Sequence, residues 1–145
     1  MGVNAVKIIS PGFGEIHILS IYGNLFFSNL LDFHLAGVIG TSLTTIKAQL
    51  GEKPTIIAGD FNIDRRMDDN PTGTRFSKKD ERRCNFFFDF ILDLGFEDCL
   101  RMVSPDYIQT YRPIRGNYPW ELDHMFATPS LTKKMVKLKL LKMKQ

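Results

Sequence analysis

Thr55-Ile56-Ile57-Ala58-Gly59-Asp60-Phe61-Asn62 decides how the chain is read. Thr55 to Ala58 is a short, continuous apolar run, as expected of a strand covered on both faces. Gly59 has no side chain, so backbone or substrate can approach closely. Asp60 and Asn62 lie two apart, and in extended chain both point to one side. A carboxylate there can bind a hard cation or take a proton from water. The Asn62 amide can donate to a phosphoryl oxygen without adding negative charge. Together they suit attack of water on a phosphate. An Asx-turn closing a strand reads the same way in four residues.

Upstream, Asn4–Ser10 and Glu15–Tyr22 read as two strands joined by the turn Pro11-Gly12-Phe13-Gly14, a hairpin. Ser28–Leu50 reads as a helix, with Leu31, Leu35, Val38, Ile39, Ile46 and Leu50 near a 3.6 period and Gly51 to end it. Gly37 and Gly40 count against it. Downstream, residues 65–75 are polar and form a loop. Ser77 caps a second helix whose apolar stripe is Cys84, Phe87, Phe88, Ile91 and Leu92, closed by Gly95. Ile108–Tyr111 and Leu122–Thr128 are two further strands. The order strand, strand, helix, strand, helix, strand, strand predicts one α/β (α+β) layered domain with helices on a sheet.

The chain has 145 residues, one domain's length, and 43% of them are hydrophobic, enough for a core. No apolar run reaches the ~20 residues of a membrane span. The start lacks a basic segment followed by a long apolar one, so no signal peptide is expected. Cys84 and Cys99 have no metal-type spacing. A disulfide between them is open, and a reduced, cytoplasmic protein is the simpler reading. The net charge of +3 is uneven. Lys133, Lys134, Lys137, Lys139, Lys142 and Lys144 cluster in the tail, and the remaining 13 basic residues face 16 acidic ones. General attraction to a polyanion would come from that tail. The tail also reads as a lysine-protected edge strand with alternating Val136, Leu138 and Leu140. The absence of Gly-x-Gly-x-x-Gly, Walker, Gly-x-Ser-x-Gly and zinc-type cysteine motifs argues against dinucleotide, nucleoside-triphosphate, serine-hydrolase and zinc chemistry.

Three other stretches carry candidate groups. Tyr22 and Asn24, at the end of the second strand, are neutral donors for a phosphate. Arg112, after Thr110-Tyr111, can clamp one in bidentate fashion. Trp120-Glu121-Leu122-Asp123-His124 opens the last strand, where adjacent side chains point to opposite faces, so Asp123 and His124 should not share one task. The bland alternatives are a core tyrosine, a surface arginine, and a polar strand entry with a half-buried histidine.

Taken in order, these stretches resemble the endonuclease/exonuclease/phosphatase superfamily, which includes deoxyribonuclease I and the apurinic/apyrimidinic endonucleases. The resemblance rests on Ile18-Leu19-Ser20-Ile21-Tyr22-Gly23-Asn24, Gly59-Asp60-Phe61-Asn62, Leu94-Gly95-Phe96-Glu97-Asp98, Thr110-Tyr111-Arg112 and Trp120-Glu121-Leu122-Asp123. It implies a divalent-metal-dependent phosphoesterase, hydrolysing phosphodiesters, within a partial deoxyribonuclease I-like four-layer α/β sandwich, with the substrate open between nucleic acid (a nuclease), an inositol phosphate and a sphingolipid headgroup. Asp60 would activate water and bind Mg²⁺ or Mn²⁺, and Asn62 would hold the water or the phosphate. Tyr22, Asn24, Asn70 and Arg112 would contact substrate, nucleic acid or another phosphodiester. Trp120 and Asp123 resemble a Trp-x-x-Asp pair whose aspartate orients the catalytic histidine. Tyr22-Gly23-Asn24 is one residue tighter than the Tyr-x-Pro-Asn of the endonucleases. The family's metal-binding glutamate and its final Ser-Asp-His have no counterparts here. Residues 1–145 are therefore expected to be a single partial domain. As a catalytically incomplete half-domain it would depend on a partner or self-associate through an exposed sheet face.

Overall fold

A computed structural model of the chain describes residues 2–12, 14–22, 31–61, 87–104, 110 and 121–134. Its first elements are the expected hairpin. β1 (Gly2–Ser10) and β2 (Gly14–Tyr22) pair antiparallel from Ser10↔Gly14 to Gly2↔Tyr22. α1 (Leu31–Leu50) follows. Its carboxyl end is closed by Gly51, at φ +59, whose N–H donates to the Lys47 carbonyl at 2.8 Å. The crossover through α1 returns the chain as β3 (Thr55–Asp60), parallel to β2.

Residues 87–93 form α2, closed at Gly95, which has φ +86. Beyond it come β4 (Glu97–Asp98), α3 (Cys99–Val103), β5 (Asp123–Ala127) and α4 (Pro129–Thr132). Asp98 caps α3, its carboxylate accepting from the Leu100 and Arg101 N–H groups at 2.9 and 3.1 Å. β5 pairs antiparallel with both β3 and β4, giving a five-stranded mixed sheet of order β1-β2-β3-β5-β4.

The register assigns every strand residue to a face. Val3, Leu19, Ile21, Ile57 and Phe126 share one face and form the main core with Leu43 of α1 and Phe87, Phe88 and Ile91 of α2. The other face carries Val6, Ile8, Ile16, Ile18, Ile56, Ala58 and Met125. A smaller cluster of Cys99, Ala127 and Leu131 covers one end of it, against Ile16, Ile56 and Met125. Val6 and Ile8 remain 58% and 44% exposed.

Three expectations are corrected. β3 is not equally covered on its two faces: Ile57 is buried under α1 and α2, whereas Ile56 and Ala58 are half-buried, because among the described residues only the small Cys99, Ala127 and Leu131 cluster reaches the other face, at one end. Leu92 is exposed, since it turns off the α2 stripe that Phe87, Phe88 and Ile91 bury. Thr110, the one described residue of the strand expected over 108–111, is not in a strand. The start of α1 at Ser28, the cap at Ser77, Cys84, the 65–75 loop and the strand over residues 136–140 lie outside the described residues.

Candidate active site

β2 and β3 run parallel, so their carboxyl ends reach the same edge of the sheet, and β5 begins there. Tyr22 pairs with Asp60, and Asp60 with Asp123. Three candidate residues therefore stand in one row across three neighbouring strands, each about 4.8 Å from the next. They point to the face that α1 and α2 leave uncovered. Tyr22 and Asp123 are exposed and Asp60 is half-buried. Carboxylates directly opposite each other on paired strands repel, so stability alone does not favour Asp60 beside Asp123.

The backbone around this row is closely tied. Gly59 has φ +147, and a Cβ there would overlap the carbonyl oxygen of Ile21 on β2. The close approach expected at Gly59 is thus made by the neighbouring strand. Past Asp60, the Phe61 N–H donates to the Leu122 carbonyl at 2.8 Å. The N–H groups of Leu122 and Asp123 both donate to Thr110 Oγ1, at 2.9 and 3.1 Å. Thr110 belongs to a stretch whose expected role was a phosphate clamp by Arg112. Its hydroxyl, holding the start of β5, was missed.

His124 lies on the opposite face from Asp123, 3% exposed, with its ring edge-on to Phe61 and Phe88. The separation of Asp123 from His124 is as expected. The half-buried histidine is corrected to a fully buried one, because the aromatic core closes over it. Beside it, Glu121 is 0% exposed; Arg101 of α3 donates to Oε1 of Glu121, and His124 Nδ1 is 3.8 Å from the same atom. This pair was also missed: α3 is too short to show a period, and nothing in Glu121 itself indicates burial. Asn62, Asn24, Asn70, Arg112 and Trp120 lie outside the described residues.

Carboxylate oxygens are the donors hard divalent cations prefer. Asp60 and Asp123 suit such a cation in donor type and fall short in number. Among the described residues no group of three or more His, Cys, Asp or Glu side chains could hold a metal. No described helix is long and apolar enough to cross a membrane.

A mixed sheet with helices, its polar strand ends gathered at one edge, is the α/β fold of deoxyribonuclease I-like phosphoesterases. The chain belongs to the endonuclease/exonuclease/phosphatase family, whose model matches residues 21–139. That family includes nucleases and phosphatases, hydrolases of phosphoester bonds that generally use divalent metals. A search of curated proteins found no match. Among solved structures, the chain is similar to the endonuclease domain of TRAS1, a telomere-specific non-LTR retrotransposon. The identity is 17% and the TM-score 0.64, covering 90% of this chain and 52% of that one. It is also similar to a 3'-5' exonuclease, NExo, from Neisseria meningitidis, at 20% identity and TM-score 0.63, covering 89% and 54%. A structure of the Neisseria enzyme described as a 3' phosphatase bound to product DNA hairpin matches at 20% identity and TM-score 0.63, covering 89% and 53%. At these identities the likeness shows the fold. The chain spans about half the length of these structures.

Proposed function

We propose that the chain carries the phosphate-facing strand ends of a divalent-metal-dependent phosphodiesterase. The observation that supports this most is the row Tyr22, Asp60, Asp123, in register on the face opposite α1 and α2. In this reading a water attacks phosphorus, Asp60 takes its proton, and the ester P–O bond breaks to release an alkoxide that picks up a proton from solvent. Asn62 holds the water or a phosphoryl oxygen. The Tyr22 hydroxyl, the Asn24 amide, Asn70 and Arg112 meet the remaining phosphate oxygens and the substrate, with Trp120 beside them. Asp123 orients a histidine, which is not His124, since that ring is buried on the far face. Mg²⁺ or Mn²⁺ on Asp60 would neutralise charge on the phosphate. Nucleic acid is the first phosphodiester to test, given the DNA product in the Neisseria structure and the lysine-rich tail of this chain. A reduced, cytoplasmic setting accords with the free thiol of Cys99.

The test is hydrolysis of a DNA hairpin and of a simple aryl phosphodiester, with Mg²⁺, Mn²⁺ or chelator. Asp60→Asn should lower a metal-dependent rate by about 10²–10⁴-fold, the usual contribution of a general base. Activity untouched by Asp60→Ala would sink the reading.

A second reading is favoured by the exposure of Val6 and Ile8 and by the span of half a relative's length. In it the chain is a catalytically incomplete half-domain that works with a partner or a second copy against its uncovered sheet face. Silence of the isolated protein, reversed by adding a partner that covers that face, is the outcome that distinguishes it.

A further inference from the structure

Glu121 is a carboxylate wholly removed from solvent, two residues before Asp123. Such a group is costly to bury unless it is paired and hydrogen-bonded. Here it accepts from the Arg101 guanidinium, on a helix that the Asp98 cap fixes to the end of β4. The charge pair thus ties the segment entering β5 to α3. That segment in turn holds Asp60: the Leu122 carbonyl accepts from the N–H of Phe61, the residue after Asp60. On its far side, Thr110 accepts from the Leu122 and Asp123 N–H groups. Residues 121–123 are held by the ion pair of the buried Glu121 with Arg101 and by the Thr110 hydroxyl. Asp60 and Asp123 are carried on the two strands that this segment joins.

We propose that Arg101 and Glu121 are positioning residues that set Asp123 opposite Asp60, so that α3 governs the spacing of the two carboxylates. The role rests on the phosphodiesterase reading for its use in catalysis, but its geometry does not. A directional charge pair fixes both distance and angle, whereas an apolar replacement would fill the space without fixing either.

The test separates positioning from stability. Single truncations remove one charge of the pair and can fail to fold, so the double variant Arg101→Met/Glu121→Met is compared with wild type and with the charge-conserving Arg101→Lys. Amide hydrogen exchange is read at Phe61 and, as an internal reference, at Ile57 in the middle of β3. The expected result is at least a tenfold loss of protection at Phe61 with Ile57 unchanged, and recovery of most of it in Arg101→Lys. Unchanged Phe61 protection overturns the proposal. So does an equal loss at both amides, which would make the pair structural only. In the hydrolysis assay the double variant should lose tenfold or more in kcat with KM within twofold. A wild-type protein without hydrolysis counts against the phosphodiesterase reading, and the exchange result still decides the clamp.

Discussion

Replacing Gly59 by alanine tests the link between backbone and site most directly. Two independent penalties meet there. The first is conformational: at φ +147 a residue with a Cβ is strained by about 1–3 kcal/mol. The second is steric. The new methyl would overlap the Ile21 carbonyl oxygen and stand 3.0 and 3.1 Å from the Ile21 carbonyl carbon and nitrogen. All three are backbone atoms of a strand pinned on its other side by β1, so no side-chain rotation relieves the clash. β2 and β3 must separate at Ile21–Gly59 and Tyr22–Asp60, weakening about two ladder hydrogen bonds at about 1 kcal/mol each. The total is about 3–5 kcal/mol, a large part of the roughly 5–15 kcal/mol that holds a domain together. For a chain of this size that corresponds to a fall in Tm of about 10–15 °C. Thermal and urea unfolding followed by circular dichroism measure it. A Gly59→Ala protein melting within about 2 °C of wild type would refute the argument. Because the strands part where Tyr22 faces Asp60, any hydrolysis should fall further than the loss of folded protein explains.

Two other predictions concern the thiol and the sheet edge. Burial, reinforced by the nearby Glu97 carboxylate, pushes the Cys99 thiol up from 9.0 to about 11. In a Cys84→Ser variant the remaining thiol should resist a disulfide reagent at pH 8 until urea is added; rapid labelling of the folded protein contradicts this. Since the folded value is the higher one, the contribution to stability is intact below pH 9 and is lost as pH rises through 9 to 11, the opposite of the acid window of a salt-bridged carboxylate, whose folded pKa is lowered. At the sheet edge, β1 presents exposed Val6 and Ile8 beside an edge that no described strand pairs with, the usual template for association. Light scattering should show concentration-dependent self-association that Val6→Lys weakens at least tenfold. A protein that stays monomeric at high micromolar concentration removes that half of the second reading.

The hairpin, α1, β3 and β5 were legible in the sequence because each carries its own period or a continuous apolar run, and because Gly51 and Gly95 mark helix ends. β4 was not, since two residues, Glu97 and Asp98, have no period and form a strand only because Phe126 and Ala127 pair with them. The position of β5 between β3 and β4 was equally hidden, as it depends on contacts across more than sixty intervening residues. Asp60 and Asp123 were nominated separately, one from a strand end and one from a strand start. That they face each other follows from the antiparallel register, which no local pattern encodes. Arg101 gave no sign, because a lone arginine on a five-residue helix looks like any solvated one.

The two-residue alternation of the strands also explains why core and site cannot be varied independently. Each member of the polar row is the chain neighbour of a core side chain: Tyr22 follows Ile21, Asp60 precedes Phe61, and Asp123 precedes His124. Ile21 and Phe61 belong to the cluster packed by α1 and α2, and the His124 ring meets Phe61 and Phe88 edge-on. Packing on one face therefore sets the depth and tilt of the groups on the other, through rigid backbone rather than side-chain contact. Interiors packed to crystal density transmit such displacements. A change of volume at Phe61 would move Asp60, which sits on the same strand end, and would also move the Phe61 N–H away from Leu122 and hence from Asp123. The layer of α1 and α2, on the opposite face of the sheet from Tyr22, Asp60 and Asp123, thus takes part in the geometry of that row.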